Sequence, residues 1–266
     1  MFLVGNNQTI PSSWKCSVRM SLNQSGEKVL FDCTEQTSSM MSVFQAYAFV
    51  IRKIFPSLEG KKLLAQVVIY IMKIIRGQNF IFCTGFNSDG SGFFSSTNTE
   101  EIANKYLLES TLLENPQATL LLALSFCMVA GPSKLSSGIN KEPLISSEGQ
   151  ASLRFLLLLI TGYPADVCSS VYTIENGLLK IPVASQQTIG LIEADETSKQ
   201  YNIGPTLLVP KEKIWVVIYK THYSTLMCSM ENYFEYNISA IDGFKVKSLS
   251  DDDSVIQRIK SNISKT

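Results

Sequence analysis

One histidine, His222, serves the whole 266-residue chain, so no zinc site built on a pair of histidines can form. The six cysteines, Cys16, Cys33, Cys83, Cys127, Cys168 and Cys228, include no CxxC or other closely spaced pair. Metal knuckles lose their signature, and no metal or cofactor is indicated. An excess of charge is also missing: 23 basic residues balance 23 acidic ones. Phosphate binding needs a clustered excess of Lys and Arg, so nothing argues for nucleic acid. No apolar run reaches the ~18–20 residues that cross a bilayer; Leu120–Ala130 is broken by Ser125, and Phe155–Ile160 is short. Met1–Val4 is apolar and the chain then turns polar, so no signal peptide is read there, and an intracellular location, cytoplasmic or nuclear, is expected. On that ground the Asn-x-Ser/Thr sequons at Asn7, Asn23, Asn237 and Asn262 are read as chance. The sequence holds no GxGxxG, GxxxxGK[ST], HExxH or GxSxG, so dinucleotide, P-loop, zinc-protease and α/β-hydrolase readings have no support.

What is present is core material. Hydrophobic residues make up 45% of the chain and charged ones 17%, the reverse of a disordered composition. Trp14–Met20 and Val29–Asp32 alternate as two strands joined by a polar turn at Asn23–Glu27. Ser38–Phe55 (SSMMSVFQAYAFVIRKIF) carries apolar residues on nearly every face, and such a helix belongs inside a domain, with Ser38 or Ser39 as its N-cap. A second helix is expected over Leu63–Ile75, ended by Gly77. Asn79–Cys83 reads as a short strand and Thr84–Thr97 as a Gly/Ser loop. Further helices are expected over Thr99–Leu113, Gln117–Val129 and Ala151–Thr161, with a loop at Gly131–Ser147. The last third changes period: Leu178–Val183, Ile214–Tyr219, Tyr223–Cys228 and Tyr233–Ile238 read as strands, with a short helix near Ile189–Glu196. Helices first and a mainly antiparallel sheet after them make an α+β fold, with one domain over 1–248 and a solvated tail over 249–266.

One constellation could carry chemistry: the start of the buried helix and His222. Ser38 and Ser39 read most simply as caps, and His222, at a strand start after a tight turn, as a structural or surface histidine. The functional reading differs. A buried helix N-terminus is where a thiol protease keeps its nucleophile, because the helix dipole and the unpaired N–H groups there stabilise a thiolate and an oxyanion. A histidine on a rigid sheet edge is the matching general base.

NIGPTLLVPKEKIWVVIYKTHYSTLM (Asn202–Met227) resembles the MINDY family of cysteine deubiquitinases, in its Pro, Trp-containing apolar strand, Ser/Thr-His and following aromatic strand. SLRFLLLLITGYPADVC (Ser152–Cys168), QQTIGLIEADE (Gln186–Glu196) and YFEYNISAIDGF (Tyr233–Phe244) are similar to further stretches of that family. QAYAFVIRKIF (Gln45–Phe55) and Trp14 match more loosely. The resemblance implies a papain-like cysteine-protease-type fold, with the buried N-terminal helix packed on the sheet, and ubiquitin or polyubiquitin as partner. It puts His222 on the catalytic histidine.

The other half of the site departs from the family pattern. The family has a Gln and then Gly-Gly-Pro-Cys at the helix start; this chain has DCTEQTS, Asp32–Ser38. Ser38 (Ser39 with a one-residue shift) takes the nucleophile position, Asp32 takes that of the oxyanion-hole Gln, and Glu35 and Gln36 replace the glycines. A hydroxyl needs a well-oriented base where a thiol partly ionises unaided, and a carboxylate repels a developing oxyanion. The resemblance with these departures implies an inactive ubiquitin carboxyl-terminal hydrolase, a pseudo-deubiquitinase that binds ubiquitin without cleaving it. Two other readings stay open. One is a residual thiol hydrolase acting on lysine-linked polyubiquitin, with Cys33 or Ser38 beside His222. The other is an interaction or structural protein without ubiquitin contact. Asn237 and Asp242 both lie where a residue orienting His222 is expected, and the sequence does not choose between them.

Overall fold

Apolar residues on every face of a helix require protein on every side of it, and the computed structural model meets that requirement. It describes residues 19–22, 28–32, 39–76, 79–86, 92–115, 117–136, 143–145, 151–175, 178–193, 201–219, 222–228, 238–242 and 245–249. Along these the elements are β1 (Arg19–Leu22), β2 (Lys28–Asp32), α1 (Ser39–Ile54), α2 (Gly60–Ile75), β3 (Phe80–Phe86), β4 (Gly92–Thr97), α3 (Glu100–Glu109), a 3-10 turn at Leu112–Glu114, α4 (Ala118–Ala130), α5 (Pro132–Leu135), α6 (Leu153–Thr161), β5 (Thr173–Glu175), β6 (Leu178–Lys180), β7 (Gly190–Glu193), α7 (Pro205–Leu208), β8 (Ile214–Tyr219), β9 (His222–Cys228), β10 (Ile238–Asp242) and β11 (Lys245–Leu249). The arrangement is α+β.

α1 packs on β8 and β9 with one side and on α2 and α6 with the other. That middle position buries Met40, Met41, Val43, Phe44, Ala46, Tyr47, Val50 and Ile51 together. The Tyr47 hydroxyl donates to the Ile160 carbonyl of α6 at 3.1 Å, which satisfies the one polar atom of a buried ring. The Phe44 ring meets Phe126 of α4 edge-on at 5.9 Å between centroids. Ser125, the residue that interrupts the apolar run of α4, is wholly buried. Its hydroxyl accepts from the Cys83 N–H at 2.8 Å and donates to the Leu121 carbonyl, so it ties β3 to α4 where the β3–β4 ladder shifts register.

α6 is bounded as its residues predict. The Ser152 hydroxyl accepts from the Phe155 N–H, an N-cap, and Gly162 closes the helix at φ 76°. There the C-terminal ends of α2 and α6 meet: a side chain at Gly162 would run into the Ile74 carbonyl, and the Lys134 ammonium donates to the carbonyls of both Ile75 and Gly162. One cation thus serves two helix C-termini, where the dipoles favour positive charge.

The main sheet has the order β11-β10-β9-β8-β7, antiparallel except for the parallel pair β7–β8. Five local expectations are corrected. The helix near Ile189–Glu196 is the strand β7; its Gly190–Glu193 stretch is buried throughout, and a parallel strand covered on both faces carries no alternation to betray it. Within the expected loop Thr84–Thr97, residues 84–86 and 92–97 are paired strand of β3 and β4, with the register shifting between Cys83 and Gly85; residues 87–91 lie outside the described residues. Leu178–Val183 is strand only to Lys180, paired with β5 in a hairpin of its own. The helix over Thr99–Leu113 divides into α3 and the 3-10 turn. α2 ends at Arg76, itself in the left-handed conformation, one residue before Gly77. β11 runs to Leu249, and residues 250–266 lie outside the described residues. Among the described residues no helix is long and apolar enough to cross a membrane, and no group of His, Cys, Asp or Glu could hold a metal ion.

Candidate functional site

Two anchors fix the direction of α1 across the sheet. The Thr225 hydroxyl of β9 donates to the Ser42 carbonyl at 2.9 Å, near the start of the helix. At its other end the Lys53 ammonium pairs with Glu212, just before β8, at 2.8 Å. Ser42 and Lys53 are ~16 Å apart along a helix at 1.5 Å per residue. Glu212 and Val216, the β8 partner of Thr225, are ~13 Å apart along a strand. The helix therefore runs antiparallel to β8, and its N-terminus points to the end of the sheet where β8 stops at Tyr219 and β9 starts at His222, opposite each other.

That juxtaposition is the centre of the candidate site. Ser39, the first residue of α1, is buried; Ser38 and Cys33 lie outside the described residues, as does Asn237. Asp32 ends β2, opposite Arg19, in a two-stranded sheet separate from the one that carries His222, and β2 packs on α2. Asp242 ends β10 one residue beyond the Ile241–Thr225 pair, and so shares His222's end of the sheet. Ile238, at the other end of β10, pairs with Cys228.

The sequence did not reveal the acidic group at this end. Glu193 terminates β7, next to Ile218 of β8, which in turn pairs with Tyr223 of β9. It is only 9% exposed, and its carboxylate accepts the Tyr201 N–H at 3.2 Å. Reading β7 as a helix hid its burial; the short apolar run GLI behind Gly190 was the available signal of a covered strand. The glycine there is needed for space: a side chain would collide with the Leu207 carbonyl and the Trp215 ring, whose N–H donates to the Leu208 carbonyl at 2.9 Å.

The thiols with described surroundings are poor nucleophiles. Burial pushes Cys168 up to about 12, and the neighbouring Glu193 carboxylate adds to this. Burial raises Cys127 further still and also raises Cys83. All three are unpaired and buried, so near neutral pH each holds its proton, and the thiolate is the attacking form.

The same burial makes a prediction for alkaline stability. The Tyr223 phenol is pushed up to about 12, mainly by burial and secondly by Tyr201. Cys168 (ordinary value 9.0) and Tyr223 (ordinary value 10.0) hold their protons longer folded than unfolded, so unfolding releases protons. Their contribution is complete below pH 9 and is lost as pH rises towards 12. Urea titrations across that range are expected to show stability falling with pH, and falling less steeply in Tyr223→Phe.

The family model described as "Deubiquitinating enzyme MINDY-3/4, conserved domain" matches residues 81–246, well over half of the chain. The match runs from β3 into the start of β11, including β8, β9 and His222, and leaves out β1, β2, α1 and α2. Comparison with curated proteins and with solved structures finds no match.

Proposed function

The chain belongs to the family of MINDY-3/4 deubiquitinating enzymes, and from that premise we propose that it is a catalytically silent member that binds ubiquitin or polyubiquitin without cleaving it. What supports this reading is the family match over residues 81–246 beside a sequence in which Ser38 stands at the position that the resemblance gives to the nucleophilic cysteine. A papain-like arrangement is supported by the direction of α1, whose N-terminus faces the strand end of His222. At that place the helix dipole would favour a thiolate, but Ser38 offers a hydroxyl, a weak nucleophile unless a well-oriented base activates it. Asp32 at the oxyanion position brings negative charge where a donor is needed, and loss of one such donor alone typically costs about a hundred- to a thousand-fold in rate. Binding requires only a surface, which these changes leave in place. We place the protein inside the cell, where unpaired thiols such as Cys83, Cys127 and Cys168 persist.

Incubation with lysine-linked di-ubiquitin, analysed for mono-ubiquitin and for complex, tests the reading. Intact chains together with a measurable complex are expected. Cleavage would overturn it in favour of a residual hydrolase, a second reading favoured by the presence of His222 at the family's histidine position. Loss of that cleavage in Cys33→Ala would assign the nucleophile to Cys33. Neither cleavage nor complex would leave a protein without ubiquitin contact.

A further inference from the structure

The end of the main sheet remote from His222 gathers positive charge in a chain whose charges balance. α1 ends there with Arg52 and Lys53, and α2 begins there, after a short turn, with Lys61 and Lys62. The Lys53–Glu212 pair brings Lys211 and Lys213 alongside, and Lys61 pairs with Glu114 at 2.8 Å. Six basic side chains thus meet three acidic ones, Glu59, Glu114 and Glu212. Among them residues 52–57 are all exposed, Ile54 at 63% and Phe55 at 54%. An exposed apolar pair ringed by surplus positive charge fits a segment that is acidic and apolar in turn.

The sheet delivers such a segment to this corner. Leu249, the last residue of β11, pairs with Ile238, and Ile238 pairs with Cys228 of β9. Met227 pairs with Ile214, so Cys228 stands level with Lys213. Leu249 lies in that same row, three strand spacings or ~14 Å away. The chain therefore leaves the sheet at its basic end. Residues 250–256 read SDDDSVI: three consecutive aspartates, whose charge equals the surplus of the corner, and then an apolar pair. Four residues from Leu249 to Asp253 extend over ~13 Å, enough to cross the row.

We propose that this corner is the docking site of the chain's own segment 250–256. Asp251, Asp252 and Asp253 meet the basic side chains, and Val255 and Ile256 cover Ile54 and Phe55. The segment lies outside the described residues; the exit point of β11 and the match of charge and apolar character identify it as the occupant. Docked there, it straps β11, the outermost strand of the sheet, to the C-terminal end of α1 and shields an exposed apolar surface. The strap is separated from the candidate site by the sixteen residues of α1, ~24 Å. The inference therefore stands apart from the ubiquitin-binding reading, and either can fail without the other.

Carbodiimide coupling of carboxylates to amines in the full chain, followed by peptide mass mapping of the monomer, tests the assignment. The reagent condenses a carboxylate and an amine already in contact into an amide, with no spacer. Lys53–Glu212 and Lys61–Glu114, each at 2.8 Å, are positive controls at the same corner. Amides joining Asp251, Asp252 or Asp253 to Lys53, Lys62, Lys211 or Lys213 are expected, and none to Lys105 of α3, which is 69% exposed. An Arg52→Glu, Lys62→Glu, Lys211→Glu variant reverses three exposed charges and leaves the core untouched. It should lower the yield of aspartate amides to Lys53 and Lys213 by at least about tenfold. Salt at about 1 M should also lower the yield, because the Debye length falls to about 3 Å. Control amides without aspartate amides overturn the strap, as does an undiminished yield in the variant. Aspartate amides confined to covalent dimers assign the corner to the segment of a second copy and equally overturn the proposal.

Discussion

A Ser38→Cys, Asp32→Gln variant is expected to hydrolyse a fluorogenic amide at the C-terminus of ubiquitin, at a rate about a hundred- to a thousand-fold above that of Ser38→Cys alone. The native chain is expected to show no turnover. The first substitution supplies a nucleophile that partly ionises at neutral pH, at the N-terminus of a helix whose dipole favours the anion. α1 itself begins at Ser39, with its N-terminus directed towards the start of β9. If Asp32 holds the oxyanion position proposed for it, the second substitution replaces a carboxylate, which would repel the oxyanion of the tetrahedral intermediate, by an amide N–H donor. The two changes act on different terms of the barrier, so the single Asp32→Gln variant should stay silent. The effect is read in kcat/KM, and His222→Ala should abolish it. A double variant no faster than Ser38→Cys would remove Asp32 from the oxyanion position.

Gly162→Ala is expected to lower stability by about 4 kcal/mol, the sum of backbone strain and overpacking. The residue closes α6 at φ 76°, a conformation that costs an alanine energy. A methyl there would also strike the Ile74 carbonyl at the end of α2, and backbone cannot swing aside as a side chain can. Gly131 separates the two contributions: it follows α4 at φ 78°, with open space where its side chain would be. Gly131→Ala should therefore show only the strain, about 1 kcal/mol. Urea unfolding of both variants gives the comparison, and equal losses would show that the meeting of α2 and α6 tolerates the extra carbon. Displacing those helix ends would also disturb Lys134, which bridges the Ile75 and Gly162 carbonyls.

How far the sequence could be read depended on whether the determining interaction was local. α1 was legible because a helix apolar on all sides has only one place to go, and Ser152 and Gly162 bounded α6 as cap residues do. The α+β arrangement, with helices before a mainly antiparallel sheet, followed from the change of period. β7 was not legible: Ile189, Leu191 and Ile192 are covered on both faces of a parallel pair, so burial erased the alternation that marks an exposed strand. Pairing with the preceding strand β3 decided β4, whose Gly- and Ser-bearing GFFSST has the composition of a loop. The meeting of α1 with β9 depends on the Thr225–Ser42 hydrogen bond, which joins residues 183 apart in sequence, and no local pattern encodes that. Register likewise places Asp242, one of two candidates to orient His222, at the histidine's end of the sheet, while the other, Asn237, lies outside the described residues.

The most direct test of the central claim is intact-mass measurement of the native protein after incubation with a ubiquitin carrying a C-terminal electrophile, alongside non-covalent titration with ubiquitin. We predict no covalent adduct and a saturable complex, the behaviour expected of the silent, ubiquitin-binding member proposed above. An adduct that disappears in Cys33→Ala or His222→Ala would contradict the account and restore the protein to the active enzymes of its family.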